Sequence, residues 1–403
     1  MALPDAELLQ LQRKAERQRI SSYAPDFELD QPMLDELASW SRREATDDDV
    51  ARALKATRRD LQDLAALLSP PAVATLEPLA QAAHDLTIRR FGKTMHLFAP
   101  LYLSNECVSE CTYCGFQVWN RDIVRRTLSP QEVAAETRYL HHQGFRHVLL
   151  VAGEHPKHVS APYIVDCIKA SSDVVPNVSV EVQAWDEDTY RDFVDAGCDG
   201  LVIYQEAYDP RVYPEFHLKG NKRFFDWRLG APERGGRAGM RRLGVGSLLG
   251  LNPNWRWEVL ALAAHAMFLQ RRFWRSDLTV ALPRLEPAAG FDQPPSVLND
   301  SEFAVATCAL RLVLPDVGIV LSTRERADLR DGLARLGVTH MSAGSRTEPG
   351  GYSEPGEAEE QFEVADQRSP SDVMSALLEI GSEPVWKDSS PVFRRGMDAA
   401  EKL

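Results

Sequence analysis

The chain has 403 residues, 44% of them hydrophobic and 26% charged, with a formal net charge of −13. A chain of this size and balance can bury a sizeable core, and its acidic excess argues against the basic face that a nucleic-acid binder presents. No run approaches the ~20 apolar residues of a membrane span, and the polar stretch from Met1 to Asp30 lacks the apolar centre of a signal peptide, so the expected location is the cytoplasm.

Residues 1–95 read as an N-terminal helical extension. Asp47-Asp48-Asp49 opens an amphipathic run through Val50, Leu54, Leu61, Leu64 and Leu67, with its acids where the helix dipole favours them. Ser69-Pro70-Pro71 breaks that run, and a second helix follows from about Ala72 to Phe91. Over residues 96–345 the pattern changes to short apolar strands alternating with amphipathic helices. The predicted strands are His96–Ser104, His147–Gly153, Val178–Ala184, Gly200–Gln205, Leu243–Gly250, Leu278–Pro283, Gly318–Thr323 and Val338–Ala343. They are mostly continuous apolar runs, as expected of strands covered on both faces. Between them, Ser129-Pro130-Gln131-Glu132 is a capping box opening a helix that ends near Gly144, and Trp255 to Phe273 is a second long helix. The expected fold is therefore α/β, a (βα)8 TIM-type barrel whose site lies at the C-terminal strand ends. A six-stranded partial barrel is the alternative. Residues 346–403 form a C-terminal loop and helix extension packing on the barrel, with a last helix from Ser371 to Ile380 and a tail through Val385-Trp386-Lys387-Asp388.

The chemistry begins where the first strand ends. Cys107, Cys111 and Cys114 are spaced Cys-x3-Cys-x2-Cys in one loop. Cysteine thiolates are the usual ligands of a [4Fe–4S] cube. Three of them leave one iron open, the arrangement by which radical S-adenosylmethionine (SAM) enzymes chelate SAM, with the aromatic Tyr113 placed to lie against the adenine. A structural zinc loop is the alternative, but zinc needs a fourth protein ligand and no second cysteine pair follows. Cys167, Cys198 and Cys308 are scattered and read as small buried hydrophobes.

Polar groups gather at the predicted strand ends: Tyr102, Gly153-Glu154-His155, Glu181 and Gln183, Gln205-Glu206, Arg284, and Thr323-Arg324-Glu325. Together with Cys111-Thr112-Tyr113-Cys114-Gly115-Phe116, His217-Leu218-Lys219-Gly220 and Pro349-Gly350-Gly351-Tyr352, these runs closely resemble the 2-iminoacetate synthases, radical SAM tyrosine lyases of thiamine biosynthesis. The resemblance runs from about Leu76 to Asp388. It implies that Cys107, Cys111 and Cys114 hold the cluster, and that Gly153 and Glu154 meet the SAM amino group. It further implies that Arg234 faces the SAM carboxylate and that Tyr102 and Arg284 hold the substrate. The implied reaction removes a hydrogen from the amine of L-tyrosine and breaks its Cα–Cβ bond, giving 2-iminoacetate and p-cresol. The implied partners are a thiazole synthase (ThiG) and reduced flavodoxin or ferredoxin as electron donor.

Glu286, after Arg284-Leu285, stands where relatives commonly carry a basic residue, and a salt bridge between Arg284 and Glu286 is the alternative to a substrate role for Arg284. Three other readings were weighed. A hydrogenase-maturation tyrosine lyase would carry a second cluster on C-terminal cysteines, and no cysteine follows Cys308. A tryptophan lyase shares the same fold and differs in substrate. A non-catalytic metal-binding barrel would turn over no SAM.

Overall fold

The computed structural model describes residues 14–288, 291, 295–353 and 356–387. Its centre is a closed parallel barrel of strands β1 Thr94–Ser104, β2 His147–Ala152, β3 Asn177–Glu181, β4 Gly200–Glu206, β5 Arg242–Ser247, β6 Asp277–Ala281, β7 Gly318–Leu321 and β8 His340–Ser342. Each strand pairs with the next in chain order, and β8 returns to β1 through His96↔His340 and Phe98↔Ser342. That closure decides for eight strands over six. The strands are apolar because helices cover them outside and side chains fill them inside, so Val148, Leu150, Val178, Val180 and Val245 are fully buried.

The helices start where local chemistry stops the preceding loop. The Ser129 hydroxyl accepts from the Glu132 amide while Glu132 accepts from the Ser129 amide, closing the expected box at the head of the helix Pro130–His142. The long N-terminal run differs from expectation. It is two helices, Asp47–Lys55 and Leu61–Leu67. Asp60 caps the second by accepting from the Gln62 and Asp63 amides, and Arg59 donates to the Ala53 and Leu54 carbonyls at the end of the first. The later segment starts as a short turn, Pro70–Ala74, before the helix Leu76–Phe91. Leu61–Leu67, Pro70–Ala74 and Leu76–Phe91 pack on the outer barrel helices Trp255–Arg272 and Asp300–Val313, and Asp47–Lys55 packs on the first two of them.

The C-terminal residues divide between the two ends of the barrel. Residues 344–353 and 356–366 cross the C-terminal strand ends, where Tyr352 Oη donates to the Pro100 carbonyl. After the helix Pro370–Glu379, a short strand Glu383–Val385 pairs with the start of β1, and Trp386 packs edge-on against Phe145. The Val385-Trp386 motif therefore serves the barrel's far end, and Asp388 lies outside the described residues. Among the described residues no helix is long and apolar enough to cross a membrane.

Candidate functional site

The cysteine loop leaves β1 at Ser104 and is tied down on both sides. Asn105 donates to the Val124 carbonyl and accepts from the Arg126 amide. Arg125 donates to the carbonyls of Asn105, Phe116, Gln117 and Asn120, so one guanidinium gathers four points of the loop. A two-stranded ribbon, Glu110–Cys111 with His217–Lys219, holds the middle. The end of β2 presses against the loop at Gly153, where a Cβ would lie 2.4 Å from the Glu106 carbonyl oxygen and 3.2 Å from Cys107 Cβ. Only glycine allows that approach.

Two backbone amides, Ser109 and Glu154, each reach Cys107 Sγ at 3.4 Å, and Gln361 Nε2 lies 3.7 Å from Cys114 Sγ. Donors aimed at sulfur are how a protein tunes a thiolate-ligated cluster. The three thiols are unbridged, and burial pushes Cys107 up to about 12 and Cys111 well above its usual value, so metal loading releases their protons. Among the described residues the trio of ligand-type atoms gathered within 4.8 Å is Glu106, His155 and His158, not the cysteines. That group of one glutamate and two histidines is a poor ion site, because His155 Nδ1 accepts from the Lys157 and His158 amides at 3.2 and 3.1 Å, leaving its ring proton on Nε2.

Beside the loop, Glu154 is buried, accepts from Ser109 Oγ at 2.8 Å and lies 4.0 Å from Arg228. Arg228 also reaches Glu206 and donates to the Tyr204 carbonyl. Lys222 Nζ meets Glu206 at 2.7 Å. Burial alone would raise Glu206, but Lys222 and Arg228 outweigh it and hold this carboxylate below its ordinary range. Tyr113 donates its hydroxyl to His217 Nε2, whose Nδ1–H is committed to the Tyr213 carbonyl, and burial keeps that imidazole neutral.

Arg234 departs from expectation. Its guanidinium lies 3.7 Å from the Trp227 ring centroid, with Nε and Nη2 donating to the Trp185 and Trp227 carbonyls and Nη1 buried without a partner among the described residues. The cation beside Glu154 is Arg228, six residues earlier. Arg284 departs too. Its donors meet Glu325, Asp300 and the Leu298 carbonyl; among the described residues Glu286 makes no hydrogen bond or ion pair with it and feels only its charge. The arginine that lines the cavity above the barrel is Arg324, stacked 3.3 Å from the Phe362 ring centroid. Tyr102, Tyr113 and Cys114 line the same cavity, and Tyr102 Oη donates to Gln361 Oε1 at 2.7 Å. The structure thus brings Tyr102, Tyr113, Gly153, Glu154 and the cysteines together, and leaves Arg234 and Arg284 behind the wall. The residues here that the sequence reading does not single out are Arg228 and Gln361; Arg324 is among its strand-end groups but carries no role there. For Arg228 the available signal was its neighbourhood to Arg234; for Gln361 there was none.

The Radical SAM superfamily matches residues 101–263, and the Biotin and Thiamin Synthesis associated domain matches residues 281–383. The chain is 42% identical over 340 residues to the 2-iminoacetate synthase of Escherichia coli (strain K12), covering 84% of this chain and 90% of that protein. The chain belongs to the 2-iminoacetate synthase family. A second synthase, from Salmonella typhimurium, matches at the same 42% identity over the same coverage. In solved structures, HydG, a maturase of the [FeFe]-hydrogenase, superposes with a TM-score of 0.83 at 30% identity, covering 94% of this chain and 82% of that one. Methylornithine synthase (PylB), at 20% identity and a TM-score of 0.67, shares the fold. A [4Fe–4S] cluster and SAM are the cofactors of the synthase family, and the donor set here fits them.

Proposed function

We propose that this chain is a radical SAM lyase that cleaves the Cα–Cβ bond of L-tyrosine to 2-iminoacetate and p-cresol. SAM is cleaved alongside to 5′-deoxyadenosine and methionine, and 2-iminoacetate goes to the thiazole moiety of thiamine. The observation that carries this reading is the match to 2-iminoacetate synthases along 90% of their length, with cluster cysteine Cys114 opening into the same cavity as Tyr102 and Arg324.

When bound, the cluster and SAM supply the radical that removes hydrogen from the substrate amine; the protein supplies position and a dry cavity. Cys107, Cys111 and Cys114 ligate. Glu154 accepts from the SAM ammonium, Gly153 lets β2 approach the loop, and Tyr113 lies against the adenine. Arg228, beside Glu154, takes the role of countering the SAM carboxylate that the sequence assigned to Arg234. Arg324 and Tyr102 hold the tyrosine carboxylate, and Arg284 orients Glu325 in the wall. Reduced flavodoxin or ferredoxin supplies the electron and a thiazole synthase consumes the imine, in the cytoplasm. The barrel of residues 96–345 is the catalytic unit, flanked by extensions 1–95 and 346–403.

The test is anaerobic reconstitution followed by assay of 5′-deoxyadenosine and p-cresol with tyrosine, tryptophan or neither. p-Cresol from tyrosine is expected. Turnover of tryptophan without p-cresol would move the chain to the tryptophan lyases, and no SAM cleavage at all would make it a binding barrel.

A further inference from the structure

The carboxylates facing the cavity differ in one respect. Glu206 is held by Lys222 and Arg228, and Glu325 by Arg284. Glu181 also lines the cavity, and among the described residues it has neither an ion-pair partner nor a side-chain hydrogen bond. Beside it on β2 are Leu149 and Val151, which line the same cavity, Val151 being its register partner. A carboxylate so placed costs free energy unless something binds it. Burial, and then the neighbouring charge of Glu206, push it up to about 7. The cavity also holds a cation without a carboxylate partner among the described residues, Arg324. Glu181 is the last residue of β3, and Arg324 lies three residues beyond the end of β7. In a closed eight-stranded barrel the third and seventh strands are diametrically opposed. The two groups therefore rise from opposite sides of the barrel, and Arg324 is the cation whose charge acts most on Glu181, without a hydrogen bond or ion pair between them among the described residues.

We infer that Glu181 accepts the phenolic hydroxyl of the substrate and is the residue that distinguishes tyrosine from phenylalanine. This inference rests on the tyrosine reading above. A tyrosine whose carboxylate lies at Arg324 must turn its nitrogen toward the cluster side, where Cys114 and Tyr113 open into the cavity. The end left for the opposite wall is the phenol, a hydrogen-bond donor. The walls between, including Leu149, Val151 and Leu248, suit its ring. A hydrogen bond from a hydroxyl to a carboxylate is about twice as strong as a neutral one. Phenylalanine in the same pose would leave Glu181 buried and unpaired, the arrangement by which a site rejects an analogue lacking a hydroxyl. The competing role is a grip on the substrate ammonium, which tyrosine and phenylalanine share.

The experiment compares reconstituted wild-type enzyme with Glu181→Gln and Glu181→Leu. It measures kcat/KM from 5′-deoxyadenosine release, and calorimetric binding of tyrosine and of phenylalanine. Wild type should prefer tyrosine by at least about a hundredfold, since a buried polar acceptor is left empty by phenylalanine. Glu181→Leu should lower kcat/KM for tyrosine by about a hundredfold while leaving or raising that for phenylalanine, so that the ratio collapses. Glu181→Gln, which still accepts a hydrogen bond, should fall between. Equal loss for both amino acids, or an unchanged ratio, overturns the assignment. Should Glu181→Leu fail to bind its cluster, the ratio in Glu181→Gln decides. The underlying reading fails separately, through absence of p-cresol from the wild-type enzyme.

Discussion

At the scale of single residues, the site separates groups that have partners from groups that wait for one. The three loop thiols are of the second kind. Replacing Cys107, Cys111 or Cys114 by alanine should abolish the visible absorbance of the cluster and all SAM cleavage. Replacing buried Cys167, Cys198 or Cys308 should leave both in place and cost only about 1 kcal/mol or more for the cavity left behind. Retained SAM cleavage in any loop variant would remove the cluster assignment. Glu181 gives a pH-dependent signature. Its folded value is raised to about 7 by burial and by Glu206, against Arg324, Arg228 and Lys222. A raised carboxylate contributes stability that is fully present below its unfolded value, near 4.3, and is lost as pH climbs through about 7. Above pH 7 the Glu181→Gln enzyme, without substrate, should therefore be the more stable by up to about 3 kcal/mol, with the difference vanishing below pH 4.5. Chemical denaturation at pH 5 and pH 8 measures it; an equal difference at both pH values would contradict the shift. Residue types at strand ends were legible in the sequence. Which arginine is already engaged was not, because Arg284 meets Glu325 and Asp300 only after three separate segments come together.

At the scale of elements, the barrel strands were readable because each is a short apolar run between capping and turn residues. Four of their C-terminal ends were read two to three residues long, as at β3, where Glu181 closes the strand and Gln183 lies beyond it. The N-terminal helix break was missed because the leucine spacing runs on across Asp60, while the competing signal, an aspartate accepting from the amides two and three residues on, is a local preference that periodicity does not weigh. The loop that carries the cluster has little regular structure, and Arg125 substitutes for it. A lysine at that position keeps the charge but offers a point donor in place of a planar fork that serves four carbonyls. Arg125→Lys should fold as a barrel yet hold less iron after reconstitution. Each carbonyl left unpaired costs about 1 kcal/mol or more where it is buried. Iron and sulfide analysis beside far-ultraviolet circular dichroism checks this, and full cluster content in the variant would make the fork dispensable.

At the scale of the whole molecule, the site is completed by chain that the sequence marks only as polar and loop-rich. Gln361 comes from the C-terminal extension, some 250 residues after the cysteines, and joins three parts of the site. It accepts from Tyr102 Oη, faces Cys114 Sγ with its amide nitrogen, and takes the Gly115 amide on its backbone carbonyl. Gly115 has no side chain at this contact, since a Cβ would lie 2.8 Å from the Gln361 carbonyl oxygen. Through Gln361 the extension therefore fixes the Tyr102 hydroxyl and closes on the cysteine loop at Cys114 and Gly115. Displacing a substrate-holding group by about an ångström can cost on the order of a hundredfold in rate. Gln361→Leu keeps bulk and backbone but removes both side-chain bonds. SAM cleavage should continue in this variant while p-cresol per 5′-deoxyadenosine falls, and the cluster absorbance should bleach faster in air than in the wild type. Both are read on one preparation, by product chromatography and by absorbance after exposure to oxygen. A p-cresol ratio and a bleaching rate equal to wild type would mean that the backbone contact at Gly115 alone closes the site.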